Sequence, residues 1–365
     1  MSPMHRISYF LALLSFLFLF SCTPPTRPLQ SSLILYRFDP PAFLEYSEDF
    51  NLINEFSFSI PPNCELYNTF PSPVGGFLLI ELNCPNGQTV LFLDTAADSV
   101  SQPVTDSDSH FLSWTSDGEA AYLKVDSLGS PQIIRAHIDG MKEFVPITEF
   151  TYDLSAKPDS SDFTFTFSRG LGYGSELHLT KRDGRTTQLL YADQFNYISF
   201  ARFSPDGERI AFIKTPDSQT PFTVGELWVI PSTVTFTNKT PSSQSEGISI
   251  ANVDAGHGYA ANWAPDGTRI AFVMRENPEA EIADHSSDAL ISNIYVVDVL
   301  TGELTQITHF TEGRAETPHW SPLGNILTFN TVLNGRMQVQ SADIESGEIQ
   351  PLETGSTCCP AWMRK

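Results

Sequence analysis

One ten-residue stretch recurs along this chain and limits what the chain can fold into. Phe203-Ser204-Pro205-Asp206-Gly207-Glu208-Arg209-Ile210-Ala211-Phe212 reads as the corner of a β-hairpin. Proline presets φ, aspartate bonds back to its own backbone, and glycine accepts the left-handed conformation. The run Ile210-Ala211-Phe212-Ile213 is too continuously apolar to face water on either side. One copy runs from Trp263 through Pro265-Asp266-Gly267 to Phe272. A second runs from Trp320 through Ser321-Pro322-Leu323-Gly324 to Phe329, and a third from Trp114 through Asp117-Gly118 to Leu123. Weaker copies centre on Pro73 and Pro158. Aligned on the proline position, the corners fall at 73, 116, 158, 205, 265 and 322, with gaps of 43, 42, 47, 60 and 57. Such a period predicts an array of small sheet units, and four-stranded propeller blades repeat at about this length.

The pattern Trp/Phe-Ser-Pro-Asp-Gly-x-x-Ile-Ala-Phe resembles the repeat of TolB-like β-propellers, and it covers nearly the whole chain after about residue 33. The resemblance implies an all-β fold, a propeller of four-stranded antiparallel blades. It does not specify function, because propellers carry many unrelated activities. Pro360-Ala361-Trp362 resembles the start of one more unit, with Trp362 standing 42 residues after Trp320. That strand needs partners, and the apolar runs within 33–60 are unclaimed. The expectation is a ring of seven blades, closed by N- and C-terminal strands sharing one blade, with six as the alternative. The long gaps reflect insertions at 231–247 and at 276–292. The second is acidic around His285 but lacks the compact ligand spacing of calcium loops.

Residues 1–21 read as a signal segment. His5 and Arg6 precede a 14-residue apolar run at 7–20, short for a membrane span and right for an export signal. Leu19-Phe20-Ser21-Cys22 resembles a bacterial lipoprotein cleavage site, which implies lipidation at Cys22. The Pro-rich stretch 22–32 then reads as a tether, and 33–365 as the propeller domain. This predicts a lipid-anchored, extracytoplasmic protein of the bacterial cell envelope, monomeric and held to the membrane by its N-terminal lipid. With 21 basic and 43 acidic residues the formal charge is −22, which argues against nucleic-acid binding.

No Gly-x-Ser-x-Gly elbow and no His-Glu-x-x-His occurs, and no cofactor or metal site is expected. The glycine-rich run 170–174 reads as a connection between strands. His110, His137 and His178 lie in or beside strand patterns and read as structural. His257, His309 and His319 fall near the loops leading into the inner strands of two successive units, with Tyr259, Arg314 and Glu316 beside them. These six residues predict a binding site at the channel mouth for a protein, peptide or glycan partner. A channel-sited polysaccharide lyase or hydrolase is the alternative.

Besides Cys22 there are four cysteines, an even number that permits disulfides after export. Cys64 and Cys84 lie equidistant from residue 74, the centre of the first corner, so a simple hairpin sets them opposite one another. A bulge would slip that register. A Cys64–Cys84 bond is the expectation. Pairing of Cys64 with Cys358 or Cys359, or free thiols, are the alternatives.

Overall fold

The computed structural model describes residues 31–105, 108–127, 130–147, 151–168, 170, 172–217, 224–233, 247–254, 260–277 and 290–364. Cys22, the signal segment and most of the tether lie outside them, as do His257, Tyr259 and most of both insertions. Among the described residues every regular element is a strand. Five sheets have four strands each, and a sixth has eight: two four-stranded units bridged by one parallel pair, Ser292 with Arg314. The described strands therefore sort into seven four-stranded units.

Six units are simple meanders, spanning 65–101, 109–145, 151–193, 196–254, 262–306 and 314–351. The seventh is composite. Its innermost strand is Thr357–Arg364, near the C-terminus, and its outer three are Ser31–Phe38, Pro41–Ser47 and Leu52–Glu55. Strand Thr357–Arg364 packs against both Arg314–Trp320 and Glu65–Pro71, so the innermost strands close into a ring.

The core lies between the units. Phe92, Phe212, Phe272 and Phe329 are fully buried on central strands. Each such side chain contributes about 1.5–3 kcal/mol of transfer free energy. Ala211, Ile213, Leu227 and Val229 of one unit pack on Ile270, Phe272, Tyr295 and Val297 of the next.

The recurring corner forms the turn from the innermost strand to the second. In the copy at Ser204, its amide donates to Arg209 O (2.9 Å) and the Gly207 amide to Ser204 O (2.8 Å). The hydroxyl of Ser204 and the amide of Glu208 hold the Asp206 carboxyl below its usual range. The glycine serves a second purpose. A methyl group on Gly324 would stand 3.4 Å from Pro265 of the preceding corner, and one on Gly75 would stand 1.9 Å from the Arg364 carbonyl oxygen. The corners thus pack edge to edge around one face, and the end of the last strand takes the place of the seventh.

Arginine and tryptophan stitch neighbouring units together. The Arg209 guanidinium lies 5.2 Å over the Trp263 ring and donates to Gly267 O at 2.7 Å. Arg269 repeats this on Trp320 at 4.9 Å, donating to Gly324 O at 3.0 Å. The indoles of Trp114, Trp263 and Trp320 each donate back to the preceding unit, to Phe70 O, Arg202 O and Asn262 O, all at 3.0 Å.

Cys64 is joined to Cys84, with Cα atoms 4.2 Å apart. The route to that juxtaposition differs from a simple hairpin. The corner closes Ser72 on Phe77, and Asn68 pairs with Glu81, so the turn is centred half a residue beyond 74. A bulge between Leu66 and Asn68 then shifts the ladder back, pairing Leu66 with Leu82 and Glu65 with Asn83. The adjacent Cys358 and Cys359 are also joined. Cys359 sits at positive φ, where the last inner strand bulges.

Candidate functional site

Each innermost strand runs from a face of connecting loops, here called the mouth, to the face of corners. The residue just ahead of the corner's first position is partly buried in most units: Phe70, Ser113, Arg202, Asn262 and His319. Strand alternation turns that residue toward a neighbouring unit. The polar side chains of Ser113, Arg202 and Asn262 are bonded across the seams between units. Arg202 donates to Asp153 at 2.8 Å, Asp153 also accepts the Ala201 amide at 2.7 Å, and Asn262 donates to Pro318 O at 2.7 Å. His319 sits deep on its strand, and enclosure by the surrounding protein pushes its imidazole down to about 4, so it is neutral near pH 7.

Nearer the mouth, Arg314 Nε donates to Glu316 Oε1 at 2.7 Å, both on strand Arg314–Trp320 and both largely buried. The structure thus brings Arg314 and Glu316 together. His319 lies further along the same strand, past a bulge between Glu316 and His319. His309 stands apart on the preceding loop, exposed to solvent. Asn293 pins that loop: its Oδ1 accepts from Thr308 Oγ1 (2.8 Å) and the Phe310 amide (2.7 Å), and its Nδ2 donates to Phe310 O (3.0 Å) and Glu276 Oε1 (3.0 Å). His309 is therefore held at a fixed place on the rim.

A buried pair lies beside this loop. Arg275 and Asp254, with side chains 1% and 0% exposed, meet at 2.9 Å, and Ser292 Oγ donates to Asp254 at 2.6 Å. Ser292 also forms the parallel bridge to Arg314. A polar framework thus runs from Arg275 through Asp254 and Ser292 to the backbone beneath Arg314. Sequence reasoning missed Arg275, Asp254, Ser292 and Asn293, because charges far apart in the chain carry no motif. Arg275 closing the apolar run Ile270–Met274 was the only local hint. Among the described residues, no group of three His, Cys, Asp or Glu is placed to hold a metal ion.

These features define a class: a ring of antiparallel sheet units closed by a composite unit, with polar contacts across the seams between inner strands. No family model and no curated protein matches the chain. Solved structures do. TolB from Acinetobacter baumannii is similar over 89% of this chain and 79% of its own, at 17% identity and a TM-score of 0.50. An oligogalacturonate lyase in complex with manganese is similar over 87% of each chain, at 11% identity and a TM-score of 0.60. A prolyl endopeptidase is similar over 91% of this chain and 50% of its own, at 9% identity and a TM-score of 0.59. The chain therefore has the fold of the TolB-like β-propellers.

Proposed function

We propose that this protein is a lipid-anchored, extracytoplasmic β-propeller that acts as a non-catalytic binding scaffold in the bacterial cell envelope, taking a protein, peptide or glycan at its mouth. The observation that carries this reading is the pairing of the carboxylates at and beneath the mouth. Glu316 is bonded to Arg314, Asp254 to Arg275 and Ser292, and Asp153 to Arg202 and the Ala201 amide. Ion-paired and largely buried, these three carboxylates brace the inner strands beneath the mouth as a fixed framework. The export signal and the site at Cys22 support the location.

The test begins with capture of partners from solubilised envelopes by the lipidated protein. Replacing Arg314 and Glu316 together by alanine is expected to weaken a captured partner at least tenfold while the ring stays folded. A partner whose affinity is unchanged by that pair places the site elsewhere. Fold likeness to the lyase supplies a second reading, a polysaccharide lyase or hydrolase sited in the channel with His309 and His319. Manganese-dependent cleavage of acidic oligosaccharides, lost on His319→Ala, would favour it.

A further inference from the structure

The corner face is not uniform around the ring. The third corner residue is Asp117, Asp159, Asp206 or Asp266 in four units. In the two remaining corners it is Val74 and Leu323, which are 59% and 66% exposed. These two flank one place: the composite unit, where no corner exists. There Ser31 pairs with Arg364, and the Arg364 carbonyl abuts the corner carrying Val74. The Ser31 amide donates to Glu48, in the turn at the same end of that unit. The chain N-terminal to Ser31 therefore leaves from the corner face, between Val74 and Leu323.

Eight residues, nine Cα-to-Cα steps, separate Cys22 from Ser31. Even fully extended they span at most ~30 Å. The inner strands stand roughly 25 Å tall. An anchor at Cys22 thus leaves the corner face, where the tether joins the body, within reach of the bilayer. Exposed apolar side chains on single loops are ordinary. Here they replace aspartate at the two corners beside the tether and at no other described corner. Leu300, also exposed, lies on a turn of the same face one unit away.

We infer that the corner face is a membrane-docking surface, with Val74 and Leu323 seated among the lipid headgroups and acyl-chain ends beside the tether. The inference rests on the lipid-anchor reading above. The surface suits zwitterionic lipid, since Glu48, Asp49 and Glu345 stand on the same face against Arg364, and Asp266 there is paired with Arg269 at 2.8 Å. The mouth, with Arg314, Glu316 and His309, then opens to the aqueous side, where a partner reaches it without crossing lipid.

The experiment uses the full lipidated chain in vesicles of phosphatidylcholine and phosphatidylethanolamine carrying brominated acyl chains, which quench tryptophan on contact. Two variants are compared, Leu323→Trp on the corner face and Leu333→Trp at the mouth end of its strand. The native tryptophans give the same background in both. The added emission from the Leu323→Trp variant is expected to fall at least twofold on bromination and that of Leu333→Trp to stay unchanged. Adding Val74→Asp is expected to reduce the quenching of the first. Equal quenching of both, or of neither, overturns the docking surface, as does a corner face that responds only to a protein partner. A Cys22→Ser variant separates the two readings. Its release from vesicles supports the anchor whatever the quenching shows, and its continued tight binding removes the anchor reading itself.

Discussion

Single residues here answer to neighbours one unit away. Gly75 and Gly140 both hold positive φ, 86° and 89°, but only Gly75 has a neighbour within reach of a methyl group. Forcing alanine into that conformation costs roughly 1–2 kcal/mol by itself. Gly140→Ala is expected to lose about that much, and Gly75→Ala severalfold more, because its Cβ meets backbone that has nowhere to move; paired denaturant titrations read the difference. Glu81 offers a second residue-scale prediction. Burial pushes its carboxyl up from 4.5 to about 7, against the pull of the Phe111 amide bonded to it at 3.1 Å. A carboxyl raised in the folded state favours folding while protonated. Its contribution is complete below about pH 4.5, the unfolded value, and is lost as pH rises to 7. Glu81→Gln keeps an acceptor for Phe111 and is expected to remove that slope from the stability profile between these limits. Unfolding midpoints measured across the range check it, and an unchanged slope would contradict the assignment.

At the scale of the element, the corner was legible because its parts are local. Pro205-Asp206-Gly207 and the apolar run behind it announce turn and strand within ten residues. The clamp that begins in the same motif was not legible. Arg209 sits two residues past Gly207, yet its ring partner is Trp263 and its acceptor Gly267, both in the next unit. Periodicity marked the positions but not the pairing. The hairpin between Cys64 and Cys84 shows the same limit. The bulge between Leu66 and Asn68 offsets the displaced turn, and neither irregularity has a sequence signature. The clamp gives a third prediction. Arg269→Ala is expected to cost about 1–2 kcal/mol through the lost ring contact and the unpaired Gly324 carbonyl. Arg269→Lys is expected to recover less than half of that, since a lysine cannot both stack flat and donate sideways. Of the candidate site, the Arg314–Glu316 pair was within reach of the sequence. The Asp254–Arg275 pair was not, because it forms only when two sheets meet.

At the scale of the molecule, closure depends on one strand from the far end of the chain. Removing 357–364 leaves Ser31–Phe38 without its inner partner and exposes the flanks of Arg314–Trp320 and Glu65–Pro71. The expected outcome is loss of cooperative unfolding and a tendency to associate through the open edges, read by calorimetry and sedimentation. An unchanged, monomeric melt would show that the other six units are self-sufficient.

The placement of Ser31–Phe38 also has a mechanical consequence. It is the second strand of its sheet, with one ladder along Thr357–Arg364 and another along Pro41–Ser47. Its first described residue, Ser31, sits at the corner end of the strand. A load applied through the leader therefore shears both ladders at once, stressing all their hydrogen bonds together instead of peeling them one by one. Strands loaded in this way yield at far higher force than strands unzipped from an end. A body tugged by whatever it holds at one face would, on this geometry, keep its shape while being pulled from the other.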